Sequence, residues 1–261
     1  MIRTVQATRY VTPLREGGSL PAIVEGDDDG TYVLKFRGAG QGAKALVAEL
    51  VSGEIARLLG LPMPEIVFVE LDTILAKTEP DPEIQDLIRA SEGLNLAFDY
   101  LPGSMTFDPL VPHAIENDVR LASKIVWFDA LTTNIDRTAR NTNLLVWHKQ
   151  LWLIDHGASL YFHHSWDNYL ARSESAFAPI KNHVLLPWAH EIQSIDEEMT
   201  ALWTPEVLHR VLDLIPDSWL GDVEQFASTE EHRAAYGEYF ARRLQAPRSW
   251  VAMAIEEANR A

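Results

Sequence analysis

The hydrophobic pattern of the chain changes once, close to Pro102-Gly103. Before that point, alternating runs such as TYVLKF at 31–36 indicate strands, and one helical pattern occupies 43–60. Beyond it, apolar residues at helical spacing predict a long helix at 112–133 and further helices at 204–215 and 229–244. The sequence therefore predicts an α+β fold in two parts, sheet-rich over residues 1–103 and mainly helical over 104–261.

The stretch TTNIDRTARNTNLLVWHKQLWLIDHG at 132–157 combines a hairpin pattern with acids and amides at its ends. Folding LLVW against LWLI places Asn143 roughly opposite Asp155 and Asn141 beside Asp155, while Asp136 lies on the entering loop. Carboxylate and amide oxygens suit Mg²⁺, with phosphates completing its shell, and Asp136 can then act on a hydroxyl nucleophile. The alternative is structural, because Asp and Asn also favour turns and helix caps.

A lysine stands inside the strand pattern at 31–36. Lysine is rarely buried unless it is paired, so Lys35 either faces solvent on an edge strand or has an acidic partner. The helical pattern at 43–60 offers Glu49 and Glu54 as partners. At 100° per residue Glu54 lies within the apolar stripe, so periodicity favours Glu54, and a solvated helix face is the alternative for both acids.

Composition narrows the class of protein. The 261 residues include no cysteine, which excludes disulfides, thiolate metal sites and a cysteine nucleophile. The net charge of −16 repels phosphate backbones, so we expect no nucleic-acid partner. The first residues lack the apolar run of a signal peptide, and no apolar run is long enough to span a bilayer. We therefore expect a soluble, cytoplasmic protein without membrane insertion.

The stretch at 132–157 also resembles a known family. The pattern N-x-D-R-x-x-x-N, then a hairpin, then I-D-x-G, resembles the catalytic and metal-binding loops of HipA-like kinases, atypical serine/threonine kinases related to phosphatidylinositol kinases. The resemblance implies a bilobal protein-kinase-like fold in which Asp136 is the catalytic base and Asn141 and Asp155 hold Mg²⁺. Thr138 stands where many members have His, and His156 replaces the Phe of Asp-Phe-Gly.

The same resemblance extends to the first part of the chain. It implies that Lys35 contacts the nucleotide phosphates, and the run AELVSGEIARLLGLPMP aligns with the family helix so that Glu49, rather than Glu54, tethers this lysine. It places a phosphate-covering loop at REGGSLP, and it places the backbone that meets adenine within FDYLPG. The residues implied in these two segments are Gly17, Gly18, Ser19, Asp99, Tyr100 and Leu101.

The function implied is an ATP-dependent phosphotransferase that moves the γ-phosphate to a hydroxyl acceptor, in the first place a protein serine or threonine. The resemblance implies that residues 1–103 form the nucleotide-covering lobe and residues 104–261 the lobe with the catalytic and metal-binding loops. Two alternatives stay open, namely a nucleotide-binding pseudokinase scaffold and an enzyme that transfers AMP.

Overall fold

The computed structural model describes residues 2–14, 20–112, 114–115, 118–221 and 223–261. The chain forms two compact units, one of residues 1–50 with 64–102 and the other of residues 51–63 with 103–261. Strands dominate the first unit and helices the second, which confirms the predicted α+β class.

The first unit contains a five-stranded sheet. Its strands are β1 (Thr4–Pro13), β2 (Ala22–Gly26), β3 (Thr31–Lys35), β4 (Ile66–Leu71) and β5 (Gly93–Asp99). They form a closed barrel in the order β1-β2-β3-β5-β4. Neighbouring strands are antiparallel except β1 and β4, whose parallel pairing closes the barrel.

Alternation along the strands fills this barrel. Tyr32 and Leu34 of β3 are buried, as the pattern TYVLKF predicts, and Val67 and Val69 of β4 are buried with them. A 3₁₀ helix (Thr73–Thr78) and the helix α2 (Pro82–Ala90) add apolar side chains to the same core. The helix α1 (Ala43–Leu58) begins in the first unit and ends in the second.

The second unit contains a small sheet and most of the helices. The sheet consists of β6 (Met105–Thr106), β7 (Leu144–Trp147) and β8 (Gln150–Leu153). The helices are α3 (Val119–Thr132), α4 (Tyr169–Ser173), α5 (Ile192–Ala201), α6 (Pro205–Leu212), α7 (Thr229–Arg243) and α8 (Ser249–Ala258). Short 3₁₀ helices lie at Tyr161–His164, Ala178–Asn182, Leu186–Trp188 and Asp217–Trp219. In the described parts of the chain, none of the helices is both long and apolar enough to cross a membrane.

Helix α3 is the central helix of the second unit. It is buried from Ile125 to Thr132 and packs against α5 and α8. The sequence pattern predicted a start at residue 112, which is wrong, because the Asp118 side chain accepts a hydrogen bond from the N–H of Leu121 and caps the helix at Val119. Its other end is set by Thr133, whose left-handed backbone (φ 55°) turns the chain into the loop that carries Asp136.

Candidate active site

In the first unit, a buried ion pair joins the barrel to α1. Lys35 is the last residue of β3, and its Nζ lies 2.9 Å from Oε1 of Glu49. Both side chains are buried, with relative exposures of 8% for Lys35 and 2% for Glu49. Burying two charges costs several kcal/mol per ion before their attraction is counted, so a hydrophobic pair would serve the fold as well. The pair is therefore a candidate for a functional rather than a stabilising role.

The other acid considered for this pairing is engaged elsewhere. Glu54 is buried, as periodicity predicts, but its carboxylate accepts two hydrogen bonds from Arg57, at 2.9 and 2.6 Å. Helical periodicity correctly predicts that Glu54 lies on the buried face of α1. It does not predict that Arg57, three residues later, neutralises the Glu54 carboxylate.

The segment at 99–101 leaves β5 with part of its backbone already bonded. The N–H of Asp99 donates to the carbonyl of Glu65, and the N–H of Tyr100 donates to the carbonyl of Thr31, each at 2.9 Å. Burial, and then the nearby Glu65 carboxylate, raise the pKa of Asp99. An adenine contact in this segment would therefore fall to the carbonyl groups or to the N–H of Leu101, because the two preceding N–H groups are engaged.

Three predicted phosphate-contacting residues, Gly17, Gly18 and Ser19, lie outside the described residues. They lie between β1 and β2 in the sequence, where the N–H of Leu14 donates to the carbonyl of Pro21 at 2.7 Å.

In the second unit, Asp136 lies on the loop between α3 and β7. Its N–H donates to Oδ1 of Asn134 at 3.1 Å. Its Oδ2 accepts from the side-chain amides of Asn141, at 2.7 Å, and Asn143, at 3.2 Å. The carboxylate is half-buried and is held in one orientation by two amide donors, an arrangement suited to positioning a hydroxyl group.

The predicted hairpin is present, but its register differs by one residue from the expected one, because His148 and Lys149 together form the turn. Leu144 pairs with Leu153, and the N–H of Ile154 extends the ladder by donating to the carbonyl of Asn143 at 3.1 Å. Asn143 therefore lies opposite Ile154 rather than Asp155. The backbone at the open end of the hairpin is unusual, because Asn143 (φ 47°) and Asp155 (φ 55°) both adopt a left-handed conformation. Such conformations are costly for residues with side chains, although Asn and Asp tolerate them best, and they cluster at functional sites.

A buried arginine ties the loop of Asp136 to this hairpin. Nε of Arg137 donates to Oδ2 of Asp129 in α3 at 2.6 Å, and both side chains are buried. One terminal nitrogen donates to the carbonyls of Asn143 and Ile154, the latter at 3.3 Å. Arg137 directly follows Asp136, and its side chain anchors the backbone immediately before Asp155. It therefore links the loop of Asp136 to the segment that carries Asp155.

Two histidines complete this network. Because arginine is only a donor, Nδ1 of His156 accepts from the other terminal nitrogen of Arg137 at 3.2 Å. Nδ1 of His183 accepts from the N–H of Leu185, so its Nε2–H donates to Oδ2 of Asp129 at 2.8 Å. Burial lowers the pKa of His183, which is therefore neutral near pH 7.

Asp129 carries the negative charge of this network. Burial by itself would raise the pKa of Asp129, but the adjacent Arg137 and the hydrogen bond from His183 outweigh it and hold that pKa below its usual range. Its other oxygen, Oδ1, accepts from the side-chain amide of Asn134 at 3.0 Å. One buried carboxylate thus fixes Asn134, Arg137 and the segment around His183.

Sequence reasoning missed Asp129 and gave His183 no specific role. The sequence does contain a signal for Asp129, because this residue interrupts the apolar run IVWFDAL of α3. The other residues of that run are all buried. The partner of a buried acid is set by tertiary packing, so the sequence alone did not identify His183, which lies 54 residues further along the chain.

The side-chain oxygens at the open end of the hairpin suit a hard divalent cation as ligands. Among the described residues, no group of three or more His, Cys, Asp or Glu side chains could hold a metal ion. Asp155 and Asn141 offer one carboxylate and one amide, and the NH₂ of Asn141 faces Asp136, which leaves its carbonyl oxygen for a cation. Magnesium is commonly bound through one or two carboxylates plus substrate phosphates, so this sparse set fits a metal that arrives with a nucleotide.

Comparison with known proteins gives one family. A family model described as HipA-like kinase matches residues 8–252, which is most of the chain. No curated protein matches the sequence.

Three solved structures share the fold at low sequence identity. The Helicobacter pylori proinflammatory kinase CtkA aligns over 100% of this chain and 98% of its own, with a TM-score of 0.54 and 12% identity. A Golgi casein kinase with Mn/ADP bound aligns over 98% of this chain and 74% of its own, with a TM-score of 0.54 and 12% identity. A second structure of the Golgi casein kinase gives a TM-score of 0.52 at 13% identity, over 98% and 72% of the two chains. The chain therefore has a kinase-like fold.

Proposed function

The chain belongs to the HipA-like kinase family, a family of kinase enzymes, and from that premise we propose that it transfers the γ-phosphate of ATP to the hydroxyl group of a protein serine or threonine. The observation that carries this proposal is the orientation of Asp136, whose carboxylate is held by Asn141 and Asn143 on a loop anchored through Arg137. Membership of the HipA-like kinase family supports the choice of a protein serine or threonine as acceptor.

We assign the base role to Asp136. In the proposed step, the acceptor oxygen forms a bond to the γ-phosphorus, the bond from that phosphorus to the β–γ bridging oxygen breaks, and ADP leaves. The proton of the hydroxyl passes to the Asp136 carboxylate. Because the transition state of phosphoryl transfer is loose, the carboxylate contributes mainly by orienting the hydroxyl and accepts the proton late.

We assign the metal to Asp155 and Asn141, with nucleotide phosphates as the remaining ligands. Mg²⁺ bound there would neutralise charge that develops on the phosphate oxygens. The Golgi casein kinase with Mn/ADP bound supports a nucleotide with a divalent cation, and we propose magnesium as the cation used by this chain. The left-handed backbone of Asp155 and the anchoring of its neighbour by Arg137 limit the positions that the carboxylate can take.

In the first unit, we propose that Lys35 contacts the phosphates and that Glu49 holds its ammonium in place. The ion pair between Lys35 and Glu49 supports this assignment, since a kinase lysine on a strand is tethered in this way. Tyr100 and Asp99 donate their N–H groups within the sheet, so we assign adenine recognition to their carbonyls and to Leu101. Gly17, Gly18 and Ser19 remain candidates for covering the phosphates.

The proposal is tested by following two labels. The purified protein is incubated with γ-³²P-ATP and Mg²⁺, alone and with dephosphorylated cell extract, beside the Asp136→Asn variant. We expect label on polypeptide only with the wild-type protein. A parallel reaction with α-³²P-ATP identifies AMP transfer. Label from α-³²P-ATP on polypeptide would replace the kinase proposal by AMP transfer, and nucleotide binding without any transfer would identify a pseudokinase.

A further inference from the structure

Beside the loop of Asp136, the second unit contains a cavity of about 420 Å³. Its walls include Ile135, the residue directly before Asp136, together with Tyr161, Phe162, Phe177 and Tyr239. We refer to it as the Ile135 cavity. Its volume lies in the lower part of the range for ligand pockets, about 300–1,000 Å³.

The cavity is structurally continuous with the loop of Asp136. The N–H of Leu160 donates to the carbonyl of Thr132 at 2.7 Å, and the N–H of Tyr161 donates to Oγ1 of Thr133 at 3.3 Å. These bonds fix the segment after Asp155 against the start of the loop. One wall of the cavity is therefore held by the same backbone that positions Asp136.

Four aromatic side chains contribute to the lining. Phe162 and Tyr239 stack with their ring centroids 3.5 Å apart. At the rim, Ile135 and Tyr161 keep relative exposures of 38% and 55%, which is high for large apolar side chains beside a cavity. Exposed apolar groups around a concavity are typical of a recognition surface.

Two arginines contribute to the walls of the cavity. Arg243 is buried and donates to the carbonyls of Leu131, Ala130 and Ser173. Arg172 donates through one terminal nitrogen to the carbonyls of Phe162 and Ser165, and its buried Nε has no hydrogen-bond partner among the described residues. An apolar occupant is favoured by the apolar side chains of the lining, which include Ile135, Ala176, Phe177 and Pro179.

We propose that the Ile135 cavity is a specificity pocket that receives an apolar side chain, such as Leu, Met or Phe, of a polypeptide acceptor. This inference rests on the proposed function. An acceptor hydroxyl at Asp136 brings the flanking residues of an extended chain past Ile135, and three such residues span roughly 10 Å. The apolar side chain that enters the pocket is thus expected within three residues of the phosphorylated serine or threonine. Anchoring by side chains that fill pockets is a general mode of peptide recognition.

Serine-centred peptides test the pocket directly. A panel of nonapeptides carries Leu, Ala or Asp at each of the three positions on either side of the serine. We expect one position at which Leu exceeds Ala about tenfold or more in kcat/KM, with Asp weaker still, since a filled apolar pocket discriminates by roughly 10–200-fold. Equal rates for all members of the panel would overturn the proposal.

A matched pair of variants tests the location. Ala176 and Ala178 are both exposed, but only Ala176 is among the residues that line the cavity. Ala176→Trp is expected to fill the cavity, raise KM for the Leu peptide and abolish the preference for Leu, while Ala178→Trp keeps both. Thermal shift by Mg²⁺-ATP should be the same for the two variants, which shows that each is folded and binds nucleotide.

The outcomes separate this inference from the proposed function. Transfer to peptides without any effect of Ala176→Trp on the preference would overturn the pocket and leave the kinase proposal standing. Label on lipid vesicles or on a small alcohol, with none on any peptide, would overturn the pocket and the polypeptide acceptor but retain phosphotransfer. No transfer to any acceptor would overturn both.

Discussion

Replacing Arg137 by Met is expected to destabilise the second unit strongly at pH 7.5. The change leaves the Asp129 carboxylate buried without its guanidinium partner, and it removes a donor from the carbonyl of Ile154. Removing one partner of a buried ion pair costs about 3–5 kcal/mol. At about 2–4 °C per kcal/mol for a chain of this size, the melting temperature should fall by roughly 6–20 °C.

The size of this effect should depend on pH. In the wild-type protein the pKa of Asp129 is below its usual range, so its contribution to stability is present above the unfolded-state pKa and is lost as pH falls. Without Arg137, burial dominates and raises the pKa of Asp129 in the folded state. The adjacent carboxylate would also raise the pKa of His183. The folded variant then binds more protons than its unfolded chain. Its loss of stability relative to the wild-type protein should therefore decrease between pH 7.5 and pH 5.

The assay is thermal and urea unfolding followed by circular dichroism at both pH values. The control is Arg140→Met, an exposed arginine in the same loop, which should stay within about 0.5 kcal/mol of wild type. The double variant Asp129→Asn with Arg137→Met should recover part of the lost stability, because the uncompensated charge is gone. A deficit equal to that of Arg140→Met, or one that grows toward pH 5, would refute the role given to the buried charge.

The other predictions concern the proposed nucleotide and metal contacts. Glu49→Gln should weaken stabilisation by Mg²⁺-ATP in a thermal-shift titration about as much as Lys35→Met, whereas Glu54→Gln should leave it near wild type; the reverse order would show that α1 was aligned incorrectly. Asp136→Asn should keep Mg²⁺-dependent ATP binding and lose at least about 100-fold in transfer rate, whereas Asp155→Asn should lose the Mg²⁺ dependence of binding itself. Identical behaviour of the two Asp variants would refute their separate roles.

Local patterns predicted the parts of the structure that depend on neighbouring residues. The hairpin at 144–153 follows from two short apolar runs around a polar connection, and its pairing needs no distant partner. The alternation of TYVLKF likewise placed Tyr32 and Leu34 in the core of the barrel. The start of α3 was placed too early, because the pattern did not weigh the cap formed by Asp118 against the apolar residues before it.

Periodicity in the sequence does not identify which side chains pair with one another in the folded protein. The angular argument for Glu54 was sound as an argument about burial, yet the residue that neutralises Glu54 is Arg57, and Lys35 lies next to Glu49 instead. The side-chain amide of Asn141 donates to Asp136, a contact that the hairpin pattern does not predict. Each of these outcomes depends on side-chain direction in the folded chain, which periodicity does not specify.

The closure of the barrel has a consequence for how the chain acquires its structure. Gln6 in β1 and Glu70 in β4 are 64 residues apart in sequence, and Leu34 in β3 meets Ala97 in β5. Chains dominated by such distant pairings fold slowly, because loop-closure entropy is lost before the contacts that compensate for it can form. Until β5 has been synthesised, β3 and β4 expose unpaired edges that invite association with other chains. Once β1 meets β4, the described strands of the barrel offer no free edge, so the mature unit is protected from the aggregation to which its nascent form is prone.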